Sequence, residues 1–334
     1  MPTPRERVLA ALRHEPVDRV PWSFWRHFYD REQTARDTAA AMVTWLRRWS
    51  FDFLKVNPRA HYYAEPWGAR YAYPGGEHGR PEATHLPVQT TDDWACIGRV
   101  AADAGAFGEQ IETLRLVRQQ IGDDVPVIQT IFTPLAVLGY MAEHTRIRDD
   151  LRQASQAIHA ALNAVATSLA GYAAECLRAG ADGIFFATTA WATREMLTPA
   201  EYAAFGRAYD LRVLAAVQGA AFNVLHVCRD ESMLLDLLDY PVHAFNWAAT
   251  SPSNPSLGAA LQRAGQRAVV GGVSHAALTA DDPALAREQV RQAFRETGGR
   301  GWMLAGDCSI PTTSREATIA AVRAELEQLA AGQG

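Results

Sequence analysis

Short apolar segments alternate with longer amphipathic stretches along most of the chain. Eight of these segments are apolar and β-prone, and several are continuously apolar, as strands buried on both faces of a sheet are. They cover residues 20–25, 51–56, 125–132, 182–188, 222–228, 243–248, 268–274 and 302–309. The longer stretches between them have the apolar spacing of helices. An eightfold strand–helix alternation predicts an α/β fold of the (β/α)8 TIM barrel class.

Two stretches stand outside this repeat. The chain begins with the pattern of a capped helix, in which Thr3 is the N-cap, Pro4 the first helical residue and Glu6 the partner in a capping box. Residues 57–124 are too long for a simple connection, so we expect an irregular cap or loop segment there, over the second strand–helix unit or the barrel mouth. No linker or repeat divides the chain, which predicts a single domain over residues 1–334.

The composition of the chain argues against nucleic-acid-binding and membrane-spanning classes of protein. The chain has 334 residues, 48% of them hydrophobic, and a net charge of −5. That charge gives no reason to expect nucleic acid or an anionic membrane as a partner. No stretch approaches the roughly 20 uninterrupted apolar residues of a spanning helix, and the first residues are charged rather than signal-like. We therefore expect a soluble, cytoplasmic protein.

Polar side chains follow the ends of the predicted strands. In a (β/α)8 barrel the chemistry lies at the carboxyl ends of the strands and on the loops after them. The candidates in these positions are Arg26, Asn57, Tyr140, Thr189, His226, Cys228, Asp307 and Cys308. Three of them also have a structural interpretation: Arg26 could form a rim ion pair, and Tyr140 and Thr189 could be hydrogen-bonded at the edge of the core.

The pair His226 and Cys228 carries the most specific chemistry. Residues two apart on a strand face the same way, and Cys308 can converge on them from the end of the last predicted strand. Four cysteines in a chain of this length do not form a disulfide framework. A catalytic zinc site uses three nitrogen and sulfur ligands and keeps a fourth position open. These residues predict such a site; ordinary packing of a histidine and two thiols is the alternative.

The two thiolates also indicate which reaction such a metal favours. A zinc ion with two sulfur ligands suits the binding and activation of another thiol better than the formation of hydroxide. A thiol that binds there loses its proton and remains nucleophilic. A thiol acceptor is therefore expected.

Longer stretches of the sequence resemble the uroporphyrinogen decarboxylase superfamily, which includes corrinoid-linked methyltransferases. The resemblance runs almost from end to end and implies a (β/α)8 barrel, in agreement with the strand pattern. It lies in RERVLAALRHEPVDRVP, IFTPLAVLGYMAE, AGADGIFFATTAWATREMLTPAEYAAFG, NVLHVCRDESMLLDLLDYPVHAFNW, VVGGVSH and GWMLAGDCSIPTTSREATIAAV.

The methyltransferase branch of this superfamily implies a function. Its zinc ligands are a His-x-Cys pair and a distant cysteine, which correspond to His226, Cys228 and Cys308. The resemblance implies that Zn²⁺ activates a small-molecule thiol, which takes a methyl group from a methylcorrinoid. The donor would be a free corrinoid or one bound to a corrinoid protein. Barrels of this size often pair, so a homodimer is one expectation.

The leading hypothesis is therefore a zinc-dependent, corrinoid-linked methyltransferase. In this hypothesis Arg26 holds an anionic group of the acceptor. The residues expected to line the pocket are Asn57, Tyr140, Thr189 and Asp307.

Two alternatives remain open. The first is a cofactor-free decarboxylase of uroporphyrinogen or another tetrapyrrole carboxylate, whose tyrosine and hydroxyl positions match Tyr140 and Thr189. The decarboxylase branch has an aspartate where this chain has Asn57, and an arginine pair where it has only Arg26. Both departures argue against this carboxy-lyase activity. The second alternative is a non-catalytic corrinoid- or tetrapyrrole-binding barrel in which zinc is structural.

Overall fold

The protein has an α/β fold built on a curled parallel sheet. The computed structural model describes residues 2–332. Over that range the strands are β1 (Leu54–Val56), β2 (Arg70–Ala72), β3 (Glu82–His85), β4 (Val127–Phe132), β5 (Gly183–Ala187), β6 (Val224–Val227), β7 (Ala244–Trp247), β8 (Ala268–Val273) and β9 (Trp302–Gly306). Seven of these strands form the sheet, in the order β1-β4-β5-β6-β7-β8-β9, and β2 pairs with β3 in a separate antiparallel ribbon.

Helices precede, separate and follow the strands of the sheet. They are α1 (Pro4–Leu12), α2 (Ala35–Trp49), α3 (Ala106–Ile121), α4 (Pro134–Leu138), α5 (His144–Gln153), α6 (Ser155–Arg178), α7 (Pro199–Tyr202), α8 (Ala208–Ala215), α9 (Leu257–Arg263), α10 (His275–Thr279), α11 (Ala284–Thr297) and α12 (Glu316–Ala331). The predicted capping box of α1 is confirmed: Thr3 Oγ1 accepts from Glu6 N at 3.2 Å, and Glu6 Oε2 accepts from Thr3 N at 2.7 Å. None of the helices in this described range is long and apolar enough to cross a membrane.

The sheet buries apolar side chains on both of its faces. Alternate residues such as Phe185, Val224 and Met303 pack together in one cluster with Trp25. The intervening residues, such as Phe186 of β5, pack into a second and larger cluster with residues of the helices. This arrangement explains why the strands are continuously apolar in sequence. It also assigns His226 to the first cluster's face, because His226 lies two residues after Val224 on β6 and therefore points the same way.

The first predicted strand, residues 20–25, differs from the others. Trp22 forms only an isolated parallel bridge to Leu304 of β9. Leu304 N donates to Pro21 O at 2.9 Å, and Ser23 N donates to Leu304 O at 3.0 Å. On the other side, Asp52 N donates to Trp22 O at 2.9 Å. Pro21 has no N–H group and Trp22 N donates to the Asp52 carboxylate, so the segment lacks the donors of a complete ladder.

Residues 57–124 combine short elements with one long helix. They contain two 3₁₀ helices, Tyr62–Trp67 and Thr91–Cys96, together with the β2–β3 ribbon and α3. Side chains from this segment reach other loops: Glu77 pairs with Arg26, and His78 Nδ1 lies 2.7 Å from Thr312 Oγ1, beyond β9.

Candidate metal centre

Two strands of the sheet bring His226, Cys228 and Cys308 together. His226 lies on β6, Cys228 follows directly after that strand, and Cys308 lies two residues beyond β9. One ligand atom from each residue lies within 4.8 Å of the other two. Among the side chains that the structure describes, this is the one group of at least three His, Cys, Asp or Glu residues with such spacing. The sequence spacing and the fold therefore point to the same three residues.

The separation of the two sulfur atoms fits a single zinc ion. Cys228 Sγ and Cys308 Sγ lie 3.7 Å apart. Two sulfurs that each lie about 2.3 Å from one tetrahedral zinc ion are ~3.8 Å apart. The pair can thus bind the same ion without rearrangement of the strands.

The His226 ring is buried without ordinary hydrogen bonds. His226 is 2% exposed, and among the described residues neither ring nitrogen has a hydrogen-bond partner of normal geometry. The ring stacks on Phe185 with 5.0 Å between centroids, which fixes its plane. Unsatisfied buried polar atoms are costly, and a metal ion would satisfy one of these nitrogens. The donor set and its unsatisfied atoms therefore fit zinc.

The two thiols of the cluster differ in their affinity for a proton. Cys228 donates to Cys308, and that contact, with the nearby His226 and Lys55, lowers the pKa of Cys308. The same contact and burial raise the pKa of Cys228. Both sulfurs would bind zinc as thiolates, so metal binding would release the proton of the Cys228–Cys308 hydrogen bond.

Lys55 is a site residue that our sequence interpretation did not identify. It lies on β1 and is 4% exposed. Its ammonium group lies over the rings of Phe185, at 4.7 Å from the centroid, and Trp25, at 5.6 Å. Burial lowers the pKa of Lys55 to about 7, whereas the Cys308 and Cys228 thiolates act in the opposite direction. The signal in the sequence was a charge inside an apolar strand, FDFLKV.

Asn57 joins Lys55 to the loop that carries Cys308. Lys55 Nζ donates to Asn57 Oδ1 at 2.5 Å, and Ser309 Oγ lies 3.4 Å from the same oxygen. Asn57 is buried, and its Nδ2 has no hydrogen-bond partner within the described part of the chain. A buried and unused donor therefore remains at this edge of the sheet.

Tyr140, in the loop after α4, and Thr189, in the loop after β5, lie near the cluster. Burial raises the pKa of Tyr140 to about 12, and the negative charges of Cys228 and Cys308 act in the same direction. Its hydroxyl is therefore neutral close to the two sulfurs. Thr189 follows β5 in the left-handed region, with φ of 51°. The preceding Thr188 N donates to His226 O at 3.0 Å, which holds this turn against β6.

Asp307 and Arg26 make contacts of their own outside the ligand set. Asp307 accepts from Thr250 Oγ1 and from Thr250 N, in the loop after β7, and burial raises its pKa to about 6. Arg26 pairs with Glu77 and lies over the rings of Phe28 and Trp45.

Non-glycine residues with positive φ occur after α1 and α2, at His14 and Ser50, and in the loops after β1, β5 and β6. His61, Thr189, Arg229 and Glu231 are non-glycine residues with φ between 51° and 73°. This left-handed conformation costs free energy for such residues and is concentrated at functional sites. Arg229 follows Cys228 directly, so its conformation determines how the chain leaves the candidate metal ligands.

Comparison with known protein sequences gives two relatives of different activity. The methylcobamide:CoM methyltransferase MtbA of Methanosarcina mazei is 23% identical over 259 residues, covering 71% of this chain and 73% of that protein. The uroporphyrinogen decarboxylase of Geotalea daltonii is 25% identical over 220 residues, which cover 63% of this chain and 62% of that enzyme.

Solved structures show the same fold at low identity. A methyltransferase from Methanosarcina mazei superposes with a TM-score of 0.83 and 18% identity, covering 98% of this chain and 99% of that one. A B12-independent methionine synthase from Shewanella has a TM-score of 0.60 and 12% identity, with 95% of each chain covered.

The family comparison covers nearly the whole chain. The family described as uroporphyrinogen decarboxylase (URO-D) matches residues 3–329. Relatives by sequence and by fold also include the methylcobamide:CoM methyltransferase of Methanosarcina mazei and a methyltransferase structure from that organism. The chain belongs to the uroporphyrinogen decarboxylase family and is similar to its methylcobamide:CoM methyltransferase branch.

Proposed function

We propose that this protein is a zinc-dependent methyltransferase that moves a methyl group from a methylcorrinoid to a thiol acceptor. The observation that carries the proposal is the convergence of His226, Cys228 and Cys308, with ligand atoms within 4.8 Å of one another. The similarity to a methylcobamide:CoM methyltransferase supports the choice of donor and acceptor. The donor is a free corrinoid or one carried by a partner protein.

The chain's own residues have separate tasks in this proposal. His226 and the two cysteines hold the ion, and Phe185 fixes the imidazole plane by stacking at 5.0 Å. When bound, Zn²⁺ supplies Lewis acidity that lowers the pKa of a ligating acceptor thiol. The neutral Tyr140 hydroxyl and the free Asn57 Nδ2 offer hydrogen-bond donors to the acceptor. Thr189 and Asp307 line the pocket.

Arg26 is proposed to hold an anionic group of the acceptor. Its present partner, Glu77, has a side chain that is 55% exposed. The Arg26 side chain is 9% exposed, so its guanidinium group needs an anionic partner, and an acceptor carboxylate or sulfonate could take the place of the exposed Glu77 carboxylate.

We also propose that the sheet closes into a single (β/α)8 barrel domain. Residues 21–23 exchange backbone hydrogen bonds with Leu304 of β9 on one side, and Trp22 O accepts from Asp52 N on the other. This segment would take the place of the eighth strand of the barrel. Residues 57–124 would cap the mouth, since Glu77 and His78 reach the loops after the first segment and after β9. The corrinoid would bind over that mouth.

Zinc content of cysteine variants tests the proposal. Wild-type protein purified without added metal is expected to hold about one zinc per chain, since three ligands suffice for a catalytic site. Cys228→Ser and Cys308→Ser are expected to lose most of it. Cys96→Ser is the matched control, because Cys96 is exposed and is not part of the ligand cluster. Elemental analysis measures the content, and methylation of a small thiol by methylcobalamin measures the activity.

Zinc retained in full by both Cys228→Ser and Cys308→Ser would contradict the ligand assignment. Zinc without methyl transfer, together with unfolding by a chelator, would indicate a structural ion in a corrinoid- or tetrapyrrole-binding barrel. Wild-type protein that stays free of zinc after reconstitution would favour the decarboxylase alternative, for which the Geotalea daltonii relative is the specific support.

A further inference from the structure

The single lysine of this sequence lies inside the curled sheet. Of the 32 lysine and arginine residues in the chain, Lys55 is the only lysine. Its neighbours Leu54 and Val56 pack in the larger apolar cluster with the helices, so alternation directs Lys55 to the opposite face of β1. Phe53 and Asn57 share that face. The chain thus uses arginine everywhere else and a compact ammonium group at this buried position.

No carboxylate balances the charge of Lys55. Its hydrogen-bond partner is the neutral Asn57 Oδ1, and its other neighbours are the rings of Phe185 and Trp25. Among the described residues, the groups whose negative charge would favour its ammonium form are the sulfurs of Cys308 and Cys228. A buried charge without a partner is costly, so negative charge on these sulfurs would stabilise the Lys55 ammonium group.

Two contacts hold Lys55 beside the metal ligands. Phe185 is shared, because Lys55 Nζ lies 4.7 Å from its centroid and the His226 ring stacks 5.0 Å from it. Asn57 is shared as well, because its Oδ1 contacts both Lys55 and Ser309, the residue after Cys308. The ammonium group is therefore fixed on both sides relative to the three ligands.

The charges of the loaded site show what this ammonium group can do. Zn²⁺ with two thiolates and a neutral imidazole has no net charge. An acceptor that binds there as a thiolate makes the group negative by one charge. In a buried site with low effective dielectric, that charge needs a counter-ion close by. Lys55 in its protonated form can supply that positive charge.

We propose that Lys55 is a positioning residue that stabilises the anionic form of the acceptor at the metal centre. This inference rests on the proposed function and deepens it, because it identifies the residue that balances the negative charge of the bound acceptor.

The same charge distinguishes the acceptor from its product. In the transfer, the thiolate sulfur forms a bond to the methyl carbon, the cobalt–carbon bond breaks, and its electron pair stays on the corrinoid cobalt. The thiolate's negative charge is thereby lost, and the product is a neutral thioether. Lys55 therefore favours the substrate over the product, which promotes product release.

Ligand binding to the Co²⁺-loaded protein tests this inference. Mercaptoethanol binds as an anion and imidazole as a neutral ligand, and the visible absorption of Co²⁺ reports both. Lys55→Met removes the charge and keeps the length of the side chain. We expect it to weaken mercaptoethanol binding at least about tenfold and imidazole binding less than about threefold, because only the anion interacts with the ammonium charge. Metal uptake is expected to match that of the wild type.

Imidazole is the control for damage to the site. Equal weakening of both ligands, or no weakening of either, would overturn the role of Lys55. Lys55→Gln provides a second neutral variant if Lys55→Met does not fold. Wild-type protein that takes up neither Zn²⁺ nor Co²⁺ would instead overturn the proposed function itself, and this is seen before any variant is compared.

Discussion

Asp210, on α8, is a buried carboxyl group held by two tyrosines. Its Oδ2 accepts from the Tyr202 hydroxyl at 2.7 Å and from the Tyr240 hydroxyl at 2.8 Å. Burial raises its pKa from 3.8 to about 7, although both hydrogen bonds act in the opposite direction. The folded protein therefore binds a proton at this carboxyl between these two pH values, where the unfolded chain does not.

The sign of the resulting pH effect follows directly. Protonation at Asp210 stabilises the folded state fully below pH 3.8, and this contribution is lost as the pH rises through about 7. Asp210→Asn stays neutral and still accepts both hydroxyls. Between pH 5 and 8 we expect the variant to gain about 2–3 kcal/mol of unfolding free energy relative to the wild type.

Urea denaturation of both proteins at the two pH values measures this difference. Asp149→Asn, at an exposed carboxyl group of α5, is the control and is expected to follow the wild type. A constant difference between Asp210→Asn and the wild type would contradict the raised pKa.

At the residue scale, sequence spacing predicted which candidate ligands converge. His226 and Cys228 share a strand face by alternation, and Cys308 follows the strand that ends near them. Lys55 was not predicted as a site residue because one charge in a strand does not show what surrounds it. The contact of Arg26 with Glu77 also could not be foreseen, since the two residues are 51 positions apart and meet through an irregular loop.

The short helix α4 ends against a tryptophan from another loop. A Cβ atom added at Gly139 would lie 2.3 Å from Trp191 Nε1 and 2.7 Å from its Cε2. Trp191 is buried and its ring cannot move without displacing its neighbours. We expect Gly139→Ala to destabilise the fold by about 1–3 kcal/mol through overpacking and to displace the adjacent Tyr140.

Thermal unfolding measures the effect, with Gly98→Ala as the matched control. A Cβ atom at Gly98 would meet no other atom within 4 Å. Its melting temperature is expected to stay close to that of the wild type. Equal melting temperatures for the two variants would show that the Trp191 ring moves aside at little cost.

At the element scale, apolar runs predicted the parallel strands of the sheet because burial on both faces requires such runs. The same criterion could not separate residues 20–25 from the regular strands. There Pro21 has no N–H group to donate, and Trp22 N donates to the Asp52 carboxylate instead of a neighbouring strand. The helix α3 lies within the predicted irregular segment 57–124. Its boundaries depend on tertiary packing against α2 rather than on a strong local start signal.

Asp52 connects three separate parts of the molecule. Its carboxylate is fully buried and accepts from Arg7 Nη1 at 2.6 Å, from Arg19 Nη1 at 2.5 Å and from Trp22 N at 3.0 Å. These contacts join α1, the segment before Trp22 and the start of β1. Asp52 therefore joins the start of β1 to Trp22, which forms the bridge to Leu304 of β9.

Asp52→Asn is expected to destabilise the whole fold. Removal of the negative charge leaves the Arg7 and Arg19 guanidinium groups without this partner, at a cost of about 2–4 kcal/mol. Chemical denaturation measures the change. Glu316→Gln is the control, because the Arg48–Glu316 pair is exposed and such pairs contribute about 1 kcal/mol or less. Similar losses for the two variants would contradict a special role of Asp52.

The whole molecule also offers an unusual opportunity for spectroscopy. Because its one lysine is buried beside the candidate ligands, growth on lysine labelled with carbon-13 at Cε would place a single labelled side-chain methylene in a protein of 36.6 kDa. One resonance would then follow metal loading, acceptor binding and methyl transfer without any assignment of other residues. Because every other basic residue of the Lys/Arg type is arginine, the label reports on the interior of the sheet alone.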